Sequence, residues 1–200
     1  MTLRVNYCFL SASICVNLRP IIMMKKKILL GVCGGIAAYK AADVIQKLKK
    51  KYEIKVVMTE NSKRFITPLT LQTLSGNPVY SEMLVLPKEW EITHISLAKW
   101  ADLLLIIPAT ANIIGKVASG IADDLLSTVM MATTSPVLFA PAMNKNMWKN
   151  LILQENVKRL KKIGYHFIEP ILGILANGQI GVGHLAPVER IVEEVERRLK

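Results

Sequence analysis

Short apolar runs alternate with longer stretches of mixed polarity along this chain. Residues 28–32, 54–58, 103–107, 137–140 and 165–168 are the apolar runs, each too short for a typical helix. The clearest, Leu-Leu-Leu-Ile-Ile at 103–107, shows no polar alternation, as expected of a strand covered on both faces in a parallel sheet. The intervening stretches read as helices: from the glycines at 34–35 to about Lys50, then 66–74, 94–99, 113–119, 125–132, 151–163 and 188–199. Thr59-Glu60-Asn61-Ser62 supplies capping residues, Thr67-Pro68 suits a first helical turn, and Asp123-Asp124 stands where a helix dipole favours acids. Gly76-Asn77-Pro78 is a break, and residues 79–91, with Pro87 and Trp90, read as an irregular functional or interface segment. Strands alternating with helices predict an α/β fold: a doubly wound parallel sheet in a three-layer sandwich, flavodoxin-like or Rossmann-type. Neither an internal repeat nor a linker divides it, so residues 23–200 are expected to form one domain.

Composition narrows this picture. Of 200 residues, 52% are hydrophobic and 20% charged, which describes a globular chain with much buried surface or an oligomer interface. The formal net charge of +11 raises nucleic acid as a partner. The basic residues, however, lie on helix faces and ends (Lys47, Lys49–Lys51; Lys158, Arg159, Lys161, Lys162), without zinc-finger spacing or interleaved aromatics. A solvated basic face that attracts phosphorylated substrates is the better reading, with no nucleic-acid partner. Cys8, Cys15 and Cys33 show no paired spacing, which points to free thiols in a reducing, cytoplasmic compartment. Residues 1–22 make a poor signal peptide, broken by Asn17 and Arg19, and Met23-Met24-Lys25 offers a fresh start. They are expected to be a disordered or non-native extension. No stretch has the roughly 18–20 unbroken apolar residues of a membrane span, and no metal-ligand spacing stands out.

Four loops carry the candidate chemistry. Open α/β sheets bind ligands at the carboxyl ends of their strands, and these loops all follow strands. Gly34 and Gly35 precede a helix and can present backbone N–H groups to a phosphate. The dinucleotide spacing G-x-G-x-x-G is absent, so a mononucleotide such as FMN fits better. Loops 59–62 and 108–112 add hydroxyls and amides. The loop 139–148, Phe-Ala-Pro-Ala-Met-Asn-Lys-Asn-Met-Trp, holds Asn144, which can both donate and accept. It can orient a carboxylate and a ring edge together, or it can be an Asn in a left-handed turn. Among the histidines, His94 at a helix start is the best acid–base candidate, although capping is the commoner role there. His166 lies beside a short strand and His184 in the last loop, 173–186, whose four glycines and apolar start suggest a flap closing over a substrate.

Together these residues resemble a known family. Gly31-Val-Cys-Gly-Gly-Ile-Ala-Ala-Tyr-Lys40, His94-Ile-Ser-Leu-Ala-Lys-Trp-Ala-Asp102, Pro108-Ala-Thr-Ala-Asn112, Gly120-Ile-Ala-Asp-Asp-Leu-Leu126 and Pro141-Ala-Met-Asn-Lys-Asn-Met-Trp148 are similar, in this order, to the flavin-containing cysteine decarboxylases. The nearest branch decarboxylates 4′-phosphopantothenoylcysteine to 4′-phosphopantetheine in coenzyme A biosynthesis. The resemblance runs from about Lys27 to the end and covers the decarboxylase half alone, so a separate phosphopantothenate–cysteine ligase is an implied partner. It implies FMN held between subunits of a homotrimer, with trimers assembling into dodecamers. Gly34, Gly35, Ile36, Thr59, Asn61, Thr110, Ala111, Asn112, Ile113 and Ala142 would contact FMN. Asn144 would bind the substrate carboxylate, His94 would be the acid–base residue, and Ile174, Leu175 and Ala176 would cover the substrate. The flavin supplies the electron sink that a cysteine carboxyl lacks, giving an enethiol that is then reduced.

One position departs from the family. The flap usually reads Leu-Ala-Cys-Gly, its cysteine giving the last proton, whereas this chain has Leu175-Ala176-Asn177-Gly178. An amide can hydrogen-bond or position water but is no comparable acid. His184, where many relatives carry Arg, or a water could supply the proton. Otherwise the reaction stops at the enethiol, as in enzymes that decarboxylate a peptide's carboxy-terminal cysteine, which is the alternative function. A non-enzymatic FMN-binding subunit is a third reading, disfavoured by the presence of both His94 and Asn144.

Overall fold

The computed structural model describes residues 25–83 and 92–200. The extension at 1–22 and residues 84–91 of segment 79–91 lie outside these residues. Six parallel strands form one sheet in the order β3-β2-β1-β4-β5-β6: β1 (Lys27–Val32), β2 (Glu53–Met58), β3 (Val79–Tyr80), β4 (Leu103–Ala109), β5 (Val137–Pro141) and β6 (His166–Phe167). This is the doubly wound order, with its switch point between β1 and β4.

Why the central strands are apolar without alternation is visible in the packing. Ile28, Leu30 and Val32 of β1 and Leu103, Leu105 and Ile107 of β4 face one cluster, together with residues of α1 (Lys40–Leu48), α2 (Pro68–Ser75) and α8 (Val188–Arg198). Leu29, Leu104 and Ile106 face the other, with α3 (Thr93–Trp100), α4 (Ala111–Ala118), α5 (Leu125–Ala132) and α7 (Leu151–Lys162). Successive side chains point to opposite faces, so a strand buried on both sides must be apolar at every position.

Several boundaries differ from the sequence expectation. Residues 79–80 are not irregular but pair with Val56 and Val57 as edge strand β3, steered there by Asn77, whose Nδ2 donates to the Ile54 carbonyl at 2.9 Å. Helix α2 starts at Pro68 rather than Ile66, because a residue before proline is disfavoured in helical geometry and Thr67 serves as the cap. Loop 108–112 shrinks to Thr110 alone between β4 and α4. The loop after β5 turns at once into a short helix, α6 (Lys145–Lys149). The glycine-rich flap is a two-stranded antiparallel hairpin, β7 (Ile171–Ile174) and β8 (Ile180–His184).

Candidate functional site

A cleft of about 1230 Å³ opens at the carboxyl ends of β1, β2, β4 and β5. Gly34, Gly35, Ile36, Thr59, Asn61, Thr110, Ala111, Asn112, Ile113, Ala142, Asn144, Ile174, Leu175, Ala176 and Asn177 all line it. The volume exceeds the roughly 300–1,000 Å³ common for one small molecule, leaving room for two.

The floor is set by close packing between loops. Thr59 N and Oγ1 both donate to the Val32 carbonyl, at 3.0 and 3.4 Å, tying the β2 loop to the end of β1. A Cβ on Gly34 would stand 2.6 Å from the Cβ of Asn61, so only glycine allows the two loops to meet. At Gly35 the nearest atoms to such a Cβ are Thr110 Cγ2 at 3.9 Å and Pro108 Cγ at 4.0 Å, so its backbone borders open space. Across that space Thr110 Oγ1 accepts from Ile113 N at 3.4 Å and caps α4. Ala111 and Asn112 therefore sit in the first turn, where N–H groups have no intrahelical acceptor.

Asn144 is not in a left-handed turn. With φ −58° and ψ 146° it caps α6, its Oδ1 accepting from Asn146 N at 2.8 Å. With that oxygen accepting from the backbone, the NH2 group is the part of the amide left to donate, the polarity a carboxylate requires, and the residue lines the cleft.

The hairpin forms one wall. Met143 N donates to the Gly183 carbonyl at 2.9 Å. A Cβ on Gly183 would lie 2.2 Å from Met143 O, and one on Gly181 2.7 Å from the Lys145 stem. These glycines serve close approach to the Asn144 loop rather than freedom of movement. Gly178, at φ 77°, completes a three-residue turn in which Gly178 N donates to Leu175 O at 2.8 Å and Asn177 Oδ1 accepts from Gln179 N at 3.2 Å. Asn177 thus has a local structural role at the tip of the hairpin.

His94 is the exception among the expected site residues. It lies in the first turn of α3, half-buried, and does not line the cleft. Leu97 and Ala98 pack α3 into the cluster on the α5 side of the sheet. As a crossover helix into a parallel strand, α3 still begins at the ligand-binding edge of the sheet.

The sequence reading missed the charge pairs around the cleft. Lys116 Nζ lies 2.6 Å from Asp123 and 2.7 Å from Asp124, while Lys47 pairs with Glu189 at 3.0 Å. Burial alone would raise the Asp124 pKa, but the Lys116 ammonium and donors from Ser127 outweigh it and hold the carboxyl below its ordinary value. These pairs join α4 to the α5 cap and α1 to α8, separations that sequence alone does not close. Cys33, beneath the glycine loop, is buried, and burial pushes its thiol up to about 12.

Residues 21–200 match the sequence profile of the family described as Flavoprotein. The chain belongs to this flavoprotein family. The probable phosphopantothenoylcysteine decarboxylase of Streptococcus mutans is 48% identical to this flavoprotein over 179 residues, 88% of the chain and 100% of the relative. The coenzyme A biosynthesis bifunctional protein CoaBC of Borreliella burgdorferi is 49% identical over 169 residues, and there the match spans 84% of the chain and 43% of the relative. The chain thus corresponds to less than half the length of its bifunctional relatives. Among solved structures, a PPC decarboxylase with a cysteine-to-serine substitution, complexed with pantothenoylaminoethenethiol, superposes with a TM-score of 0.78 at 31% identity, covering 86% of this chain and 97% of that one. The FMN-binding protein AtHal3 superposes at 0.76, with 31% identity, 86% of this chain and 96% of that one.

Proposed function

We propose that this flavoprotein decarboxylates 4′-phosphopantothenoylcysteine to 4′-phosphopantetheine, with FMN as its cofactor, in coenzyme A biosynthesis. The observation that carries the reading is the placement of Asn144: an amide whose oxygen caps α6, in the lining of a cleft floored by a glycine cradle.

The residues present fit FMN. The glycine cradle at 34–35 and the first turn of α4 border a space with backbone on both sides, which a planar ring and a phosphate can share. Gly34, Gly35, Ile36, Thr59, Asn61, Thr110, Ala111, Asn112, Ile113 and Ala142 would hold it. When bound, FMN supplies the electron sink that a cysteine carboxyl lacks.

The protein's own part is orientation. Asn144 clamps the carboxylate at the cleft wall, and Ile174, Leu175 and Ala176 on the hairpin cover the substrate against water. His94 reaches a site only in a homo-oligomer, where a second copy brings its α3 to the cleft mouth. Trimers, and dodecamers built from them, are the assemblies this reading takes. Exposed Ile36, Tyr39 and Ile121, at 62%, 54% and 46%, supply apolar surface for such contacts. Residues 23–200 are taken as the decarboxylase unit, working with a phosphopantothenate–cysteine ligase in the cytoplasm, where free thiols such as Cys33 persist. Among the described residues, no helix is long and apolar enough to cross a membrane.

The test is anaerobic incubation of the purified, FMN-loaded protein with 4′-phosphopantothenoylcysteine, followed by mass spectrometry. The expected product has lost CO2 only. No turnover here, with turnover on a peptide ending in cysteine, overturns the reading in favour of a peptidyl-cysteine decarboxylase.

A further inference from the structure

We propose that His184 delivers the proton to the carbon that loses CO2. This rests on the decarboxylase reading. The net reaction replaces a C–COO⁻ bond with a C–H bond, with no net oxidation or reduction. One proton must therefore reach that carbon.

Few groups that the chain contributes to its own cleft are free to give one. Asp43 pairs with Lys40 at 3.4 Å, Glu60 with Lys63 at 2.7 Å, Asp124 with Lys116 at 2.7 Å and Glu189 with Lys47 at 3.0 Å. Tyr39 has the Lys40 ammonium over its ring at 5.0 Å. Cys33 is buried beneath the floor. Asn177, at the tip of the hairpin, is an amide and carries no exchangeable acid. Among the described residues lining the cleft, His184 is the histidine, the side-chain type most used as a general acid and base.

Its geometry is built. Nδ1 lies 3.2 Å from the Ile174 carbonyl, which can only accept, so Nδ1 carries a hydrogen and Nε2 is the exchanging position. A Cβ on Gly173 would sit 3.0 Å from both Cβ and Cγ of His184, so only glycine on β7 lets the ring lie across the hairpin. Strand β7 brings no titratable side chain. From α6, Lys145 rests its stem on Gly181 and is the charged neighbour beneath β8. Glu189, at the start of α8, is held by Lys47. In the step itself the Nε2–H bond of the imidazolium breaks as the new C–H bond forms. CO2 has by then left, its C–C electron pair held in the C=C bond of an enethiol; that pair forms the C–H bond, FMN when bound would return two electrons to the sulfur-bearing carbon, and solvent reprotonates the ring.

The experiment compares FMN-loaded wild type, His184→Gln and His184→Gln/Asn177→Cys with 4′-phosphopantothenoylcysteine, measuring CO2 and product mass. His184→Gln is expected to lower formation of the finished thiol about a hundredfold, with KM little changed and a product two hydrogens lighter accumulating. Adding Asn177→Cys restores at least tenfold of it. In the wild type, without turnover, the His184 Nε2 resonance is expected to shift when 4′-phosphopantetheine binds. Unchanged thiol formation in His184→Gln, failure of Asn177→Cys to rescue, or an unmoved Nε2 resonance overturns the assignment. Wild type releasing no CO2 overturns the decarboxylase reading with it, whereas CO2 release with His184→Gln unaffected overturns the assignment alone.

Discussion

Gly34 shows how a single residue sets the site. Its missing side chain lets the β1 loop meet Asn61, and a methyl placed there would overlap that residue's Cβ at 2.6 Å. Gly34→Ala is expected to push the two loops apart, costing about 1–3 kcal/mol of stability as overpacking does. Urea denaturation reads that cost, and the ratio of visible flavin absorbance to protein should fall with it. A variant with unchanged stability and full flavin content would show that the contact does not hold the floor. The sequence marked Gly34 and Asn61 as separate candidates, each following a strand. That one excludes a side chain on the other was not legible, because it depends on β1 and β2 lying side by side with Val32 opposite Met58.

At the scale of elements, Asp124 joins two helices. Its Oδ1 accepts from Ser127 N at 2.8 Å, its backbone N–H reaches Ser127 Oγ at 3.1 Å, and Oδ2 meets Lys116 on α4. That acids favour the start of α5 was legible in Asp123-Asp124 preceding an apolar run, whereas the reciprocal cap with Ser127 was not. Nor was the tie to α4. Asp124→Ala is expected to cost about 1 kcal/mol at pH 7 through the lost cap. The folded-state pKa is depressed, so this contribution is present above the ordinary carboxylate value and is lost as pH falls through the lower, folded one. Denaturation curves of wild type and variant should therefore converge below about pH 4. A gap that stays constant into acid would locate the effect elsewhere. The hairpin teaches a related lesson. Its glycines read as a mobile flap, yet two of them are flattened against Met143 and Lys145, and Asn177-Gly178 makes the turn.

For the whole molecule, the decisive fact is that Asn144 lines the cleft and His94 does not. If a second copy completes the site, His94→Ala and Asn144→Ala proteins are each inactive alone but recover activity when unfolded and refolded together, since mixed oligomers contain intact sites. Sedimentation should show a species larger than the monomer, and absence of recovery would confine the chemistry to one chain. The sequence by itself determined the layering: apolar runs without alternation can be satisfied only by a sheet covered on both faces, and each loop at a strand's carboxyl end is then a candidate for the site. Tertiary structure decided the strand order, the glycine contacts, the ion pairs around the cleft, the cap made by Asn144 and the place of His94 outside the cleft lining. The reason is physical. Periodicity reports which face of an element is buried, through contacts a few residues apart, whereas pairing across the sheet, close backbone approach and charge partnership depend on which elements become neighbours.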